Sequence, residues 1–222
     1  MTLRPAGQRP PVTTRRGSDD GVVGRLVDLL LDAGIDGVGP LHSARELADQ
    51  ARLTRTPESA VRKVIRSQVV KGGVGGFVTS VGGFVTMPVA LPANVLEFYV
   101  VATRMVAAIA ELRGYDVNDP QVRTAVLLTL VGSDADEVLA KAGLTGGTGK
   151  VVGLVGQQLP PAALLMVNKA IAFRLLRGVG EKAFARLGRA VPLAGGVVGG
   201  GIDVWMMRRI ADHALQEFPP LS

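Results

Sequence analysis

Four polar residues lie within or at the edge of long apolar stretches, where they could form a binding or reactive site. They are Asn94, Glu97, Arg104 and Asp203. Glu97 and Arg104 are seven residues apart, which places them on one face of a helix. Polar groups in apolar surroundings often mark substrate sites, although an ion pair or a helix cap explains the same residues. One hypothesis is therefore a pocket for a lipid-like substrate, and the other is a structural role.

Other catalytic chemistries fit the sequence poorly. The Gly-Thr-Gly-Lys run at 147–150 lacks the flanking residues of a phosphate-binding loop, because Leu144 and Val151 stand where glycine and a hydroxyl residue belong. His42 and His213 have no partner at metal-ligand spacing. The absence of cysteine excludes thiolate catalysis and disulfides. The sequence therefore predicts no catalytic residue, no metal site and no cofactor.

Two uncharged segments, 74–96 and 190–202, are rich in glycine. Small residues four positions apart allow two helices to pack backbone against backbone, as they do in membranes and in tightly packed soluble bundles. The first segment is long enough to reach across a bilayer, but Pro88 and Pro92 interrupt it. We predict helix packing at Gly75, Gly76, Gly82, Gly83, Gly195, Gly196, Gly199 and Gly200.

Basic helices directly precede both apolar segments. The net charge of +6 and the isoelectric point near 10.2 also indicate an anionic partner. Nucleic acid is not favoured, because aromatic residues make up only 4% of the chain and no recognition motif is present. The pattern suits an anionic leaflet, and we predict binding to lipid head groups by Arg62, Lys63, Arg66, Lys71, Arg174, Arg177, Lys182 and Arg186.

The elements that would position these residues are helical. Thr56-Pro57-Glu58, Pro92-Ala93-Asn94 and Asn118-Asp119-Pro120 are helix starts, and Asp203 is expected to lead into the last helix. Gly34 and Gly114 are predicted stops. The helix before Gly114 is apolar nearly all round, which is typical of a core helix or of a helix in lipid. No segment alternates with a period of two, so we predict an all-α, compact multi-helix bundle. Residues 1–19 are predicted to be a disordered Arg/Pro-rich tail before one helical domain, 20–222.

The central glycine and proline run resembles the core of the EcsC family. The resemblance is carried by Gly76-Phe77-Val78-Thr79, Gly82-Gly83-Phe84 and the run from Met87 to Asn94, and it continues through Gly195-Gly196, Gly199-Gly200 and Asp203. The family is named after the third gene of a bacterial operon that also encodes an ABC transporter. The resemblance implies a bacterial, helical, membrane-associated protein, and it brings no catalytic residues.

The leading hypothesis is a non-enzymatic helical protein on the inner face of the cell membrane. Its partner would be anionic lipid or a membrane protein, and the family analogy suggests an accessory role in transport or secretion. The amino-terminal residues do not form a secretory signal, so we expect a cytoplasmic location. The sequence is compatible with a homo-oligomer. The alternative is a soluble helical enzyme that acts on a lipid-like substrate at Glu97, Arg104 and Asp203.

Overall fold

The computed structural model describes residues 21–39, 41–53, 56–74, 93–141, 159–187 and 195–221. Within these ranges all regular structure is helical, which confirms the all-α prediction for this part of the chain. The α-helices are α1 (Val22–Leu29), α2 (Ala44–Arg52), α3 (Pro57–Val74), α4 (Ala93–Leu112), α5 (Pro120–Val131), α6 (Ala135–Lys141), α7 (Pro161–Leu187) and α8 (Gly195–Glu217). A π-helix, Leu30–Asp36, continues α1, and a 3-10 turn, Gly132–Asp134, joins α5 to α6.

Local capping chemistry sets several helix ends. At the start of α2 the Ser43 hydroxyl accepts a hydrogen bond from the Glu46 amide at 3.1 Å, and the Ser43 amide donates to the Glu46 carboxylate at 2.9 Å. At the start of α5 the Asp119 carboxylate accepts from the Gln121 amide at 2.8 Å. Gly114, at φ 96°, turns the chain after α4. The start of α5 and the stop at Gly114 agree with the sequence prediction.

Two predicted boundaries are wrong. Gly34 does not end the first helix, because it lies inside the π-helix, and the chain turns instead at Gly37, whose φ is 80°. The left-handed backbone that glycine favours is therefore needed three residues later than predicted. Asp203 does not begin the last helix, because α8 starts at Gly195 and Asp203 lies in its interior. The second glycine-rich segment thus contributes the first turns of α8.

Helix α4 is the centre of the core. Every residue from Phe98 to Ala110 is buried, and α2, α3, α5, α8 and the π-helix all pack against this helix. The sequence left open whether an all-round apolar helix lies in protein or in lipid, and the structure places α4 inside the protein. The other helices form a compact bundle around it.

The helices that pack together are often distant in sequence. Helix α1 packs on α7, and α3 packs on α8, while α5 contacts α4, α7 and α8. Helices α7 and α8 are therefore held against different parts of the bundle. The region between them contains the cleft described below.

The end of α8 is fastened to the end of α4. Phe218 is fully buried and meets the Tyr115 ring edge-on, with 5.2 Å between ring centroids. The Arg113 guanidinium donates to the Phe218 carbonyl at 3.1 Å, and the Tyr115 hydroxyl donates to the Pro219 carbonyl at 3.0 Å. The Leu221 amide in turn donates to the Arg113 carbonyl at 2.9 Å.

Several predicted features fall outside the described residues. These are the tail 1–19, the loop 147–150 and the glycines Gly75, Gly76, Gly82 and Gly83. Gly195, Gly196, Gly199 and Gly200 lie in the backbone of α8. Across the described ranges, none of the helices is both long enough and apolar enough to cross a membrane.

Candidate functional site

A cleft of about 320 Å³ lies between α7 and α8. Its polar lining comes from five elements of the bundle, which are α4, α5, the 3-10 turn, α7 and α8. These polar residues are Tyr99, Thr129, Asp134, Arg174, Arg209 and His213. Apolar side chains, including Leu130, Leu175, Met206 and Ile210, complete the walls. The mixture of apolar walls and a few convergent polar groups is typical of a ligand site.

An internal ion pair occupies one side of the cleft. Arg174 donates from its Nε and Nη2 atoms to Oδ2 of Asp134, at 2.9 Å and 2.7 Å. Both side chains are about one third exposed, at 34% and 37%. Arg174 was predicted to bind lipid head groups, but its charge is directed at Asp134. The pair ties α7 to the turn before α6 and largely neutralises that side of the cleft.

Three other polar groups line the cleft without a hydrogen bond to the described part of the protein. Within the described part of the chain, no hydrogen bond joins a protein group to the Tyr99 hydroxyl, the His213 ring or the Arg209 guanidinium. Burial raises the pKa of Tyr99, so its hydroxyl stays protonated and can donate. The Arg209 guanidinium carbon lies 5.5 Å from the centroid of the Trp205 ring. Trp205 is 59% exposed and therefore stands at the mouth of the cleft.

Arg104 lies away from this cleft and connects three elements. It is only 3% exposed, and burial lowers its pKa. Its Nη2 donates to Oε1 of the buried Gln68 on α3 at 3.3 Å, and its Nη1 donates to the His42 carbonyl at 3.4 Å. Burial, and secondly the charge of Arg104, lower the pKa of Lys71. Arg104 therefore holds α4 against α3 and the segment before α2.

Two other members of the predicted polar site lie on separate helices. Glu97 lies in α4 and Asp203 in α8. The described lining of the cleft includes neither of these residues, nor Arg104. The side chain of Asn94 lies outside the described residues. The cleft was missed because its residues come from distant parts of the chain and form no sequence motif.

Replacing Arg104 with methionine is expected to lower the free energy of unfolding by about 2 kcal/mol. The reason is that Gln68 and the His42 carbonyl would lose a charged donor in a buried position. Chemical denaturation measures the change. Arg66→Met, at an exposed position on α3, is the matched control and should change stability by less than about 0.5 kcal/mol. Equal stability of the two variants would contradict a structural role for Arg104.

The predicted lipid-binding cations lie on two helices. Arg62, Lys63, Arg66 and Lys71 are exposed on α3, where Lys63 also donates to the Gln50 carbonyl at 3.3 Å. Arg177 is exposed on α7. Lys182 and Arg186 lie in the last turns of α7, and their side chains are outside the described residues.

Helix α7 is apolar on two opposite faces. Leu164, Val167, Ile171 and Leu175 form the buried face, at the spacing expected for a core helix. On the opposite side, Leu165, Met166 and Phe173 are 56%, 57% and 61% exposed. Lys169 and Arg177 share that side, since residues 165, 166, 169, 173 and 177 fall within about a third of a turn of one another. We call these five residues the outer face of α7.

The chain matches no protein-family model, no curated protein and no solved structure. Among the described residues, no group of three or more acidic or histidine side chains is placed to hold a metal ion.

Proposed function

We propose that the protein is a peripheral membrane protein that binds anionic phospholipid through the outer face of α7. The observation that carries the proposal is the alignment of Leu165, Met166 and Phe173, all more than half exposed, with the cations Lys169 and Arg177. Large exposed apolar patches rimmed by polar residues mark interaction surfaces. A helix that is apolar on the outside and carries basic residues there suits the interface between head groups and acyl chains.

Two contributions to binding are expected from this face. Each of the three apolar side chains would contribute about 1 kcal/mol or more to the binding free energy when it enters the boundary of the acyl chains. Each cation near an anionic surface would add about 1 kcal/mol, and salt would screen only this second contribution. Arg174 is not counted, because it is not part of the outer face and is paired with Asp134. The resemblance to the EcsC family supports the same proposal, including the inner face of the cell membrane and a role beside a transporter, by analogy alone.

Co-sedimentation of the full chain with lipid vesicles tests the proposal. We expect the protein to bind vesicles that contain phosphatidylglycerol better than vesicles of phosphatidylcholine alone. Added salt should weaken this binding without abolishing it, because the apolar contribution is not screened. Absence of binding to phosphatidylglycerol vesicles at low salt would contradict the proposal.

A triple variant identifies the surface that binds. Leu165→Gln, Met166→Gln and Phe173→Gln together should lower vesicle affinity by about 100-fold, which corresponds to roughly 3 kcal/mol. Val38→Gln, Leu53→Gln and Val70→Gln form the matched control, because these side chains are also exposed, at 48%, 86% and 56%, but lie off α7. If both triple variants lose affinity equally, the outer face of α7 is not the binding surface.

A further inference from the structure

We propose that the cleft between α7 and α8 binds the phosphate ester of an anionic lipid head group. This inference rests on the proposed function and names the ligand class that would be recognised at the membrane. It starts from Tyr99, Arg209 and His213, the three polar groups that line the cleft without a protein hydrogen bond in the described part of the chain. Tyr99 is the most informative of them, because it is only 8% exposed. The hydroxyl of a largely buried side chain that makes no protein hydrogen bond needs a water molecule or a ligand as its acceptor.

The charge of the cleft selects an anion. Asp134 is the only carboxylate in the described lining, and Arg174 already compensates it. Arg209 then leaves a net positive charge in the cleft. The paired N–H donors of the Arg209 guanidinium match the geometry of phosphate oxygens. Donors from two helices, Tyr99 on α4 and Arg209 on α8, suit a tetrahedral group that presents several acceptors.

The shape of the cleft indicates an amphipathic ligand. Its volume of about 320 Å³ is at the lower end of the range for ligand pockets, so it suits a head group rather than complete acyl chains. Trp205 at the mouth and Ile202 one turn earlier are 59% and 39% exposed. Acyl chains leaving the cleft would meet these apolar side chains. Phe173 of the outer face directly precedes Arg174 in the chain, so the cleft and the proposed membrane surface share α7.

The protein carries its own reporter for this site, because Trp205 is its one tryptophan. The probe is dihexanoyl phosphatidylglycerol, which is added to the protein below its critical micelle concentration while the tryptophan emission is recorded. We expect a saturable blue shift, because a ligand in the cleft would displace water from the indole. Glycerol 3-phosphate supplies the phosphate ester without acyl chains, and dihexanoyl phosphatidylcholine supplies a phosphate whose charge is cancelled by choline. Both should bind at least about 10-fold more weakly.

Two adjacent arginines provide a matched pair of variants. Arg209→Gln should weaken phosphatidylglycerol binding by about 10- to 100-fold, because it removes a charged donor from the cleft. Arg208→Gln removes the same charge from an exposed neighbour outside the cleft lining, and it should leave affinity unchanged. Because Arg209 contacts the indole, calorimetry provides the affinity of its variant. Tyr99→Phe should cause a smaller loss, of about 10-fold or less.

Three results would overturn the inference. One is the absence of saturable binding, and another is an equal loss of affinity in Arg208→Gln and Arg209→Gln. The third is tight binding of glycerol 3-phosphate, which would assign the cleft to a soluble phosphate ester. Vesicle sedimentation distinguishes a failure of the cleft proposal from a failure of the membrane proposal. Without a lipid site in the cleft, Arg209→Gln should sediment with phosphatidylglycerol vesicles like Arg208→Gln, whereas without a membrane role the unaltered protein should not sediment with them.

Discussion

Replacing Gly34 with leucine is expected to leave little folded protein. A Cβ atom at Gly34 would lie 2.7 Å from both Cβ and Cγ2 of Thr103 and 3.3 Å from the Val100 carbonyl oxygen. Thr103 cannot easily move aside, because it is fully buried in α4 and its hydroxyl donates to the Tyr99 carbonyl at 2.7 Å. A whole leucine side chain would force the π-helix away from the core, at a cost we place at more than about 3 kcal/mol. Circular dichroism and thermal unfolding measure the loss.

Smaller substitutions separate crowding from helix propensity. Gly34→Ala should lower the free energy of unfolding by about 1–3 kcal/mol. Gly201→Ala is the matched control in α8, where an added Cβ meets no atom within 4 Å. There the same change should raise the free energy of unfolding by up to about 1 kcal/mol, because alanine favours a helix. Effects of the same sign at both glycines would refute the close contact between Gly34 and Thr103.

Phe218→Ala is expected to lower the free energy of unfolding by about 3–5 kcal/mol. The side chain is fully buried, and its ring packs edge-on against Tyr115. Its removal leaves a cavity where α8 meets the end of α4, and it loosens the bonds from Arg113 and Tyr115 to the carbonyls of Phe218 and Pro219. Urea denaturation measures the change.

Leu221→Ala is the control for this substitution. Its side chain is 55% exposed, and its backbone bond to Arg113 does not depend on the side chain. The expected change is within about 0.5 kcal/mol. If Phe218→Ala is equally mild, the carboxyl-terminal segment does not secure α8 to the bundle.

The helix starts could be predicted because their causes are local. A capping side chain such as Asp119 and the proline after it act within one turn, so both are visible in the sequence. The buried face of α7 could also be recognised from its spacing. The exposure of Leu165, Met166 and Phe173 could not be predicted, because the sequence does not show whether an apolar side chain lies against protein or lipid.

Contacts between distant residues could not be predicted from spacing. The close contact of Gly34 with Thr103 was not among the predicted glycine contacts, which lie in the two glycine-rich segments. Arg104 was identified as a polar residue in an apolar helix, but its partner Gln68 lies on another helix. The cleft joins Tyr99, Asp134 and Arg209 from three separate parts of the chain. Only the tertiary arrangement brings such residues together.

The pairing of α1 with α7 and of α3 with α8 also affects how the chain folds. The partners in each pair are more than a hundred residues apart, so each pairing closes a long loop before its contacts can form. Helical bundles usually fold fast because their contacts are local. The two long-range pairings raise the contact order, so refolding should be slow relative to bundles of sequential hairpins. Until α8 docks on α3, the apolar surface of α4 beneath it remains open to water and to association with other chains.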